Sequence, residues 1–72
     1  MLQERIGVIG AGQMATALAG GWVRAGVVRS EGILASDVSA EARRRFTQAT
    51  RSPATANNLE VVEQAQVLVL AV

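Results

Sequence analysis

Six residues, Gly10-Ala11-Gly12-Gln13-Met14-Ala15, lie between a short β-branched apolar run and a stretch of helix formers. This junction restricts the fold more than any other feature of the chain. The hexapeptide fits G-x-G-x-x-[GA], and its position between a strand signal and a helix signal is what gives the match weight. Each small residue answers a separate physical need. Gly10 allows the tight turn out of the strand. Gly12 lacks a side chain, so a pyrophosphate can approach the backbone. Ala15 lets the following helix lie close against the strand. The helix N-terminus then presents unpaired N–H groups and a positive dipole end to phosphate oxygens. The competing reading is a glycine-rich packing turn that binds nothing.

The rest of the chain repeats the strand-then-helix alternation. Residues 5–9 (Arg5-Ile6-Gly7-Val8-Ile9) read as a buried strand. Residues 13–25 read as a helix with an apolar stripe at Met14, Leu18 and Trp22, and Gly26 stands where a helix C-terminal glycine belongs. A turn over residues 29–32 leads into a second strand, Ile33-Leu34-Ala35-Ser36. Ser39 can cap a helix over about residues 40–49, with Ala42, Phe46 and Ala49 facing inward. Pro53 breaks the chain before a weak third strand, Ala54-Thr55-Ala56. Asn57 or Asn58 caps a short helix over about residues 59–64, and Val67-Leu68-Val69-Leu70-Ala71-Val72 is a continuous apolar run. The order β-α-β-α-β-α-β with continuous apolar strands predicts an α/β fold, a partial doubly wound parallel sheet of Rossmann type with helices on both faces. Right-handed crossovers give the strand order 3-2-1-4.

Composition removes many chemistries. The chain has 72 residues, half of them apolar, with no cysteine and no histidine. Disulfides, zinc sites of the usual kind, thiol nucleophiles and imidazole bases are therefore excluded. There is no lysine or tyrosine, so a Schiff-base amine and a phenolic acid are also absent. Phe46 and Trp22 are the only aromatics, too few for a single-stranded nucleic-acid platform. No metal site is expected. Between Ile6 and Val23 only Gln13 and Thr16 are polar, and Ala17-Leu18-Ala19 imitates a leader cleavage site. The glycines at 7, 10, 12, 20 and 21 argue against a membrane helix. The expectation is a cytoplasmic chain with no membrane and no nucleic-acid partner.

A dinucleotide-binding unit also needs an acid about 20 residues beyond the glycine turn, at the end of the second strand. Asp37 meets this requirement, 22 residues after Ala15. Its carboxylate can accept from the adenosine ribose hydroxyls, which favours NAD over NADP. It can equally form an Asx turn or helix cap before Ala40, and one residue can do both. Arg43-Arg44-Arg45 suggests a site for the 2′-phosphate of NADP. Three consecutive helical residues point about 100° apart, however, and a solvated face fits them better. Trp22 reads as core packing. Gly20 and Gly21 lower helix propensity, so a close backbone approach is expected there.

These residues resemble the N-terminal region of pyrroline-5-carboxylate reductase, the last enzyme of proline biosynthesis, over essentially the whole chain. The resemblance rests on Ile6-Gly7-Val8-Ile9-Gly10-Ala11-Gly12-Gln13-Met14-Ala15-Thr16-Ala17-Leu18. It is supported by Gly21, Ala25-Gly26-Val27, Ala35-Ser36-Asp37, Thr55-Ala56-Asn57-Asn58 and Leu68-Val69-Leu70-Ala71-Val72. It implies an NADP- or NAD-dependent oxidoreductase that reduces the C=N bond of 1-pyrroline-5-carboxylate to give L-proline. It implies cofactor contacts at Ile9, Gly10, Ala11, Gly12, Gln13, Met14, Ala15, Ser36, Asp37, Asn58, Ala71 and Val72. The pair Asp37-Val38 departs from the arginine or small hydroxyl residues that accompany NADP preference in the family.

The same resemblance places substrate binding and subunit association in a C-terminal helical domain outside residues 1–72, making the complete enzyme a homo-oligomer and implying no catalytic residue within residues 1–72. The terminal apolar strand and the typical size of dinucleotide domains lead to the expectation that residues 1–72 are the front part of a larger protein and are inactive alone. Two other readings stay open. One is the half-domain of another imine or β-hydroxyacid reductase, and the other is a non-catalytic dinucleotide-sensing module.

Overall fold

The structure, a computed structural model, describes residues 3–71. Strand β1 (Ile6–Ile9) leads into helix α1 (Gln13–Arg24). A single 3-10 turn (Ser30–Gly32) precedes β2 (Ile33–Ser36) and helix α2 (Ala40–Thr50). The two-residue strand β3 (Ala54–Thr55), helix α3 (Asn58–Gln64) and β4 (Val67–Leu70) follow. All pairings are parallel, and the sheet order is β3-β2-β1-β4, as the alternation predicts. Ile6 stands opposite both Ile33 and Val67, and Ile9 opposite both Ser36 and Leu70. The carboxyl ends of the strands therefore finish level with one another, at the edge where the glycine turn begins. No helix among the described residues is long and apolar enough to cross a membrane.

Strand alternation divides β1 between two layers. Ile6 and Val8 point into the core with Ala15 and Ala19 of α1, Phe46 of α2, and Ile33 and Ala35 of β2. Gly7 points to the other face, against Val61 and Ala65 at α3. Helices α1 and α2 pack against each other on the first face, and α3 crosses β1 and β2 on the second. Helices thus cover both faces of the sheet at β1 and β2, whereas β4 is largely exposed, with Leu70 at 69%.

Two faces predicted from apolar periodicity are rotated. Met14 is 67% exposed and Leu18 is also exposed, while the side of α1 that meets the sheet carries Ala15 and Ala19 with no exposure at all. Trp22 is partly buried against the core, as expected. Close approach of α1 to β1 selects small residues, so the bulky stripe lies to one side of the contact. On α2 the buried positions are Ala42, Phe46 and Thr50, and Ala49 is exposed. Thr50 can be buried because its hydroxyl donates to the Phe46 carbonyl at 2.7 Å.

Helix termini follow the sequence signals closely. At the end of α1, Gly26 (φ +73°) lets its own N–H reach the Val23 carbonyl and the Val27 N–H reach the Trp22 carbonyl, a Schellman arrangement. The Ser39 hydroxyl accepts from the Ala42 N–H at 3.1 Å, and the Asn57 side chain accepts from the Leu59 N–H at 2.9 Å. At the end of α2 the left-handed position is held by Arg51 (φ +63°) instead of glycine. Arg51→Gly is expected to stabilise the chain by about 0.5–1 kcal/mol through relief of that backbone strain. A denaturant midpoint that stays the same or falls would contradict this.

Candidate dinucleotide site

The site begins where β1 stops. Gly10 takes φ +105°, a conformation that L side chains strongly disfavour, and its N–H donates to the Ser36 carbonyl at 2.7 Å. The chain thereby turns sharply while still tied to β2. Ala11 is buried, and Gly12 serves as the N-cap of α1 with no side chain to satisfy the first-turn N–H groups. An added Cβ at Gly12 would meet nothing within 4 Å. The open space over Gly12 and the donors of the first turn lie together at the carboxyl edge of the sheet, the arrangement that receives a phosphate. The order β3-β2-β1-β4 reverses direction between β1 and β4, so this edge also holds the topological switch point.

Asp37 lies one residue beyond β2 and is the acid of the site. Its Oδ1 accepts from the Ser39 N–H at 2.9 Å and its Oδ2 from the Ala11 N–H at 3.1 Å. The Ser39 bond first, then the Ala11 bond, hold its carboxyl below the ordinary carboxylate range. Partial burial opposes them, and the Arg43 guanidinium adds to the lowering. Because the folded-state pKa is depressed, this contribution to stability is present above the unfolded-state pKa and is lost as pH falls through the folded-state value. Asp37 forms the Asx turn, accepting from the N–H two residues on, whereas the cap of α2 is Ser39 and not Asp37. The Asp37 carboxylate keeps lone pairs for ligand hydroxyls.

The arginine run diverges, as helical geometry requires. Arg43 Nη1 donates to the Asp37 carbonyl at 2.8 Å, whereas Arg45 pairs with Glu41 one turn earlier at 2.9 Å. Arg45 also lines an open groove between α1 and α2 with Gln13, Thr16, Ala42 and Ala49, beside the glycine turn. Asp37 is not part of that groove.

The remaining candidate residues divide by exposure. Gln13 and Met14 are exposed at the start of α1, while Ala15 is buried and fixes the distance between helix and sheet. Ile9 and Ala71 meet at the same edge, where the Ala71 N–H donates to the Ile9 carbonyl at 2.9 Å. Ser36 is fully buried, and its hydroxyl donates to Oδ1 of Asn58 at the start of α3. Its side chain therefore supports the site from beneath, and Asn58 is the exposed member of the pair. Val72 lies outside the described residues.

Three comparisons bear on this geometry. A family model described as "NADP oxidoreductase coenzyme F420-dependent" matches residues 5–72. A pyrroline-5-carboxylate reductase of Methanosarcina acetivorans is 36% identical over 72 residues, covering all of this chain and 27% of that protein. A solved structure of a pyrroline-5-carboxylate reductase from Coxiella burnetii superposes with a TM-score of 0.88 at 27% identity, over 99% of this chain and 26% of that one. The chain thus spans about a quarter of the length of these relatives.

Proposed function

The chain belongs to the family described as NADP oxidoreductase, coenzyme F420-dependent, and on that premise we propose that it is the NAD(P)-binding part of a pyrroline-5-carboxylate reductase. The observation that carries the binding half of this reading is the turn itself. Gly10 bends the chain with φ +105°, Gly12 leaves open space above the helix N-terminus, and Asp37 stands beside both. Likeness to two pyrroline-5-carboxylate reductases supports the reaction half. Residues 1–72 would then form the N-terminal part of a dinucleotide domain, with substrate and subunit contacts made elsewhere in the protein.

The residues present fit the cofactor. The first-turn N–H groups of α1 and Gly12 would hold the pyrophosphate, and the free lone pairs of Asp37 would accept from the adenosine ribose. Asn58, Ile9 and Ala71 would border the site at the strand ends. Bound NAD(P)H supplies the hydride that reduces a C=N bond, and the protein's share is orientation and exclusion of water. Titrating the chain with NADH and with NADPH while recording amide resonances tests the binding half. Shifts concentrated on residues 10–15 are expected, and shifts elsewhere or none at millimolar cofactor would sink it. NAD(P)H oxidation with 1-pyrroline-5-carboxylate tests the reaction half. We expect turnover by the protein that carries this chain and none by residues 1–72 alone, since reacting carbons must be held about 3–3.5 Å apart.

The family description also names coenzyme F420, which favours one second reading: hydride exchange between NADP and that coenzyme. Both readings use the same turn, and turnover with F420 in place of the imine would decide for the second.

Asp37 also bears on the choice of dinucleotide. A carboxylate a few ångströms from a 2′-phosphate is unfavourable by about 1 kcal/mol in a solvated site. Asp37→Ser is therefore expected to move the ratio of NADP to NAD dissociation constants about fivefold toward NADP. An unchanged ratio would show that the carboxylate does not face the ribose.

A further inference from the structure

We infer that Asp37 is a positioning residue for the glycine-rich turn: its side chain ties the turn after β1 to the turn after β2 and holds the phosphate-facing backbone in place before any ligand arrives. The dinucleotide reading is needed only for the consequence, because the tie itself is a property of the free chain.

The ladder between β1 and β2 runs beyond the strands themselves. Main-chain pairing extends one residue past β1, with the Gly10 N–H donating to the Ser36 carbonyl at 2.7 Å. The positive φ of Gly10 then swings the chain away from strand geometry. Ala11 is left with a part-buried N–H out of register with the sheet, a donor that must still be satisfied. The Asp37 carboxylate takes it at 3.1 Å, a side chain continuing where the main-chain ladder ends.

Residue 37 is itself fixed from three directions. Its N–H donates to the Thr55 carbonyl of β3 at 3.0 Å, its carbonyl accepts from Arg43 of α2 at 2.8 Å, and its Oδ1 accepts from the Ser39 N–H at 2.9 Å. The turn is thus anchored to a residue that β3 and α2 already hold. A carboxylate has about four acceptor sites, and the two backbone bonds leave room for two ligand hydroxyls. Positioning and ribose binding therefore do not compete. One consequence follows for Asp37→Ser. While the dissociation-constant ratio moves toward NADP, affinity for both dinucleotides should fall, because the Ala11 N–H loses its acceptor.

Arg43 of α2 is the charged side chain whose field acts on this carboxylate. The glycine turn (residues 10–15) and β3 contain no ionisable side chain.

The test uses amide exchange and amide resonances of the ligand-free chain. In Asp37→Ser, exchange at Ala11 is expected to accelerate about tenfold while the Val8 and Ile33 amides keep their protection. In Asp37→Asn one oxygen remains, so only one of the Ala11 and Ser39 amides should stay protected. In the wild type, which needs no variant to fold, the Ala11 and Ser39 resonances should titrate together as Asp37 is protonated, with a midpoint below the ordinary carboxylate range. Unchanged Ala11 exchange in Asp37→Ser, or an Ala11 resonance indifferent to that titration, overturns the inference. If Asp37→Ser does not fold, the wild-type titration decides alone. Co-titration at Ala11 without any NADH- or NADPH-induced shift would leave the positioning role standing and remove the dinucleotide reading. The reverse pattern would do the opposite.

Discussion

Replacing Gly7 by valine is expected to abolish the cooperative unfolding transition at 25 °C. Gly7 lies in the middle of β1 on the face covered by α3. A Cβ added there would lie 2.6 Å from both Ala65 Cβ and Val61 Cγ1, and 3.3 Å from Leu68 Cδ1. The Ala65 methyl is attached directly to the backbone and has no rotamer by which to withdraw. The strand cannot move either, since β1 pairs with β2 on one side and β4 on the other. Helix α3 would have to lift off the sheet, opening the packing around Val61, which is fully buried. Overpacking in a well-filled core costs about 1–3 kcal/mol and more where backbone must shift. A domain of this size has only a few kcal/mol in hand, so even Gly7→Ala should lower the denaturant midpoint markedly. A Gly7→Val chain with wild-type stability would mean that α3 does not approach β1 as closely as the structure shows.

Gly12→Val should behave in the opposite way, leaving the chain folded and removing dinucleotide binding. Gly12 has φ −78°, a value open to any residue, and no atom lies within 4 Å of the place a Cβ would occupy. The folded chain tolerates the substitution apart from a weaker N-cap, a loss of about 0.5–1 kcal/mol. The isopropyl group would fill the space over the first-turn N–H groups where a pyrophosphate is proposed to sit. Amide shifts induced by NADH or NADPH at residues 10–15 are expected to vanish, with the unfolding transition retained. Retained binding would remove the pyrophosphate from this turn. Paired with Gly7→Val, the experiment separates a glycine required by packing from one required by a ligand.

Seven elements could be placed from the sequence because each carries a local signal. Gly26 satisfies its helix end through its own positive φ, Ser39 and Asn57 cap through their own side chains, and Pro53 stands at the start of the weak edge strand. These effects act over a few residues and depend little on the remainder of the molecule. The strand order 3-2-1-4 follows from the handedness of crossovers once the alternation is known. The sharp turn at residues 10–15 and the place of Asp37 directly after β2 were legible because a close strand-to-helix turn demands small residues at fixed spacing.

Other features required the assembled molecule. Periodicity located an apolar stripe at Met14 and Leu18, yet the packed face of α1 carries Ala15 and Ala19, since the distance between helix and sheet decides which stripe fits. Ala49 and Thr50 exchanged roles because a hydroxyl can be buried once it finds the carbonyl four residues back. The expected close approach at Gly20 and Gly21 is met only in part: a Cβ at Gly20 would touch the mobile end of Arg24, one at Gly21 would touch nothing, and the tight contact lies at Gly7. Ser36 and Asn58 stand together only in the folded chain, where the buried Ser36 hydroxyl donates to Asn58 while its carbonyl holds the Gly10 N–H. What the sequence determined by itself was everything set by local conformation and chain order: the elements, their caps, the glycine turn and the acid that follows β2. Only the tertiary structure decided which glycine is held by packing, which helix face is buried, and that Asp37 grips the Ala11 N–H from 26 residues away. Those outcomes depend on distances between segments remote in the chain, and residue spacing carries no record of such distances.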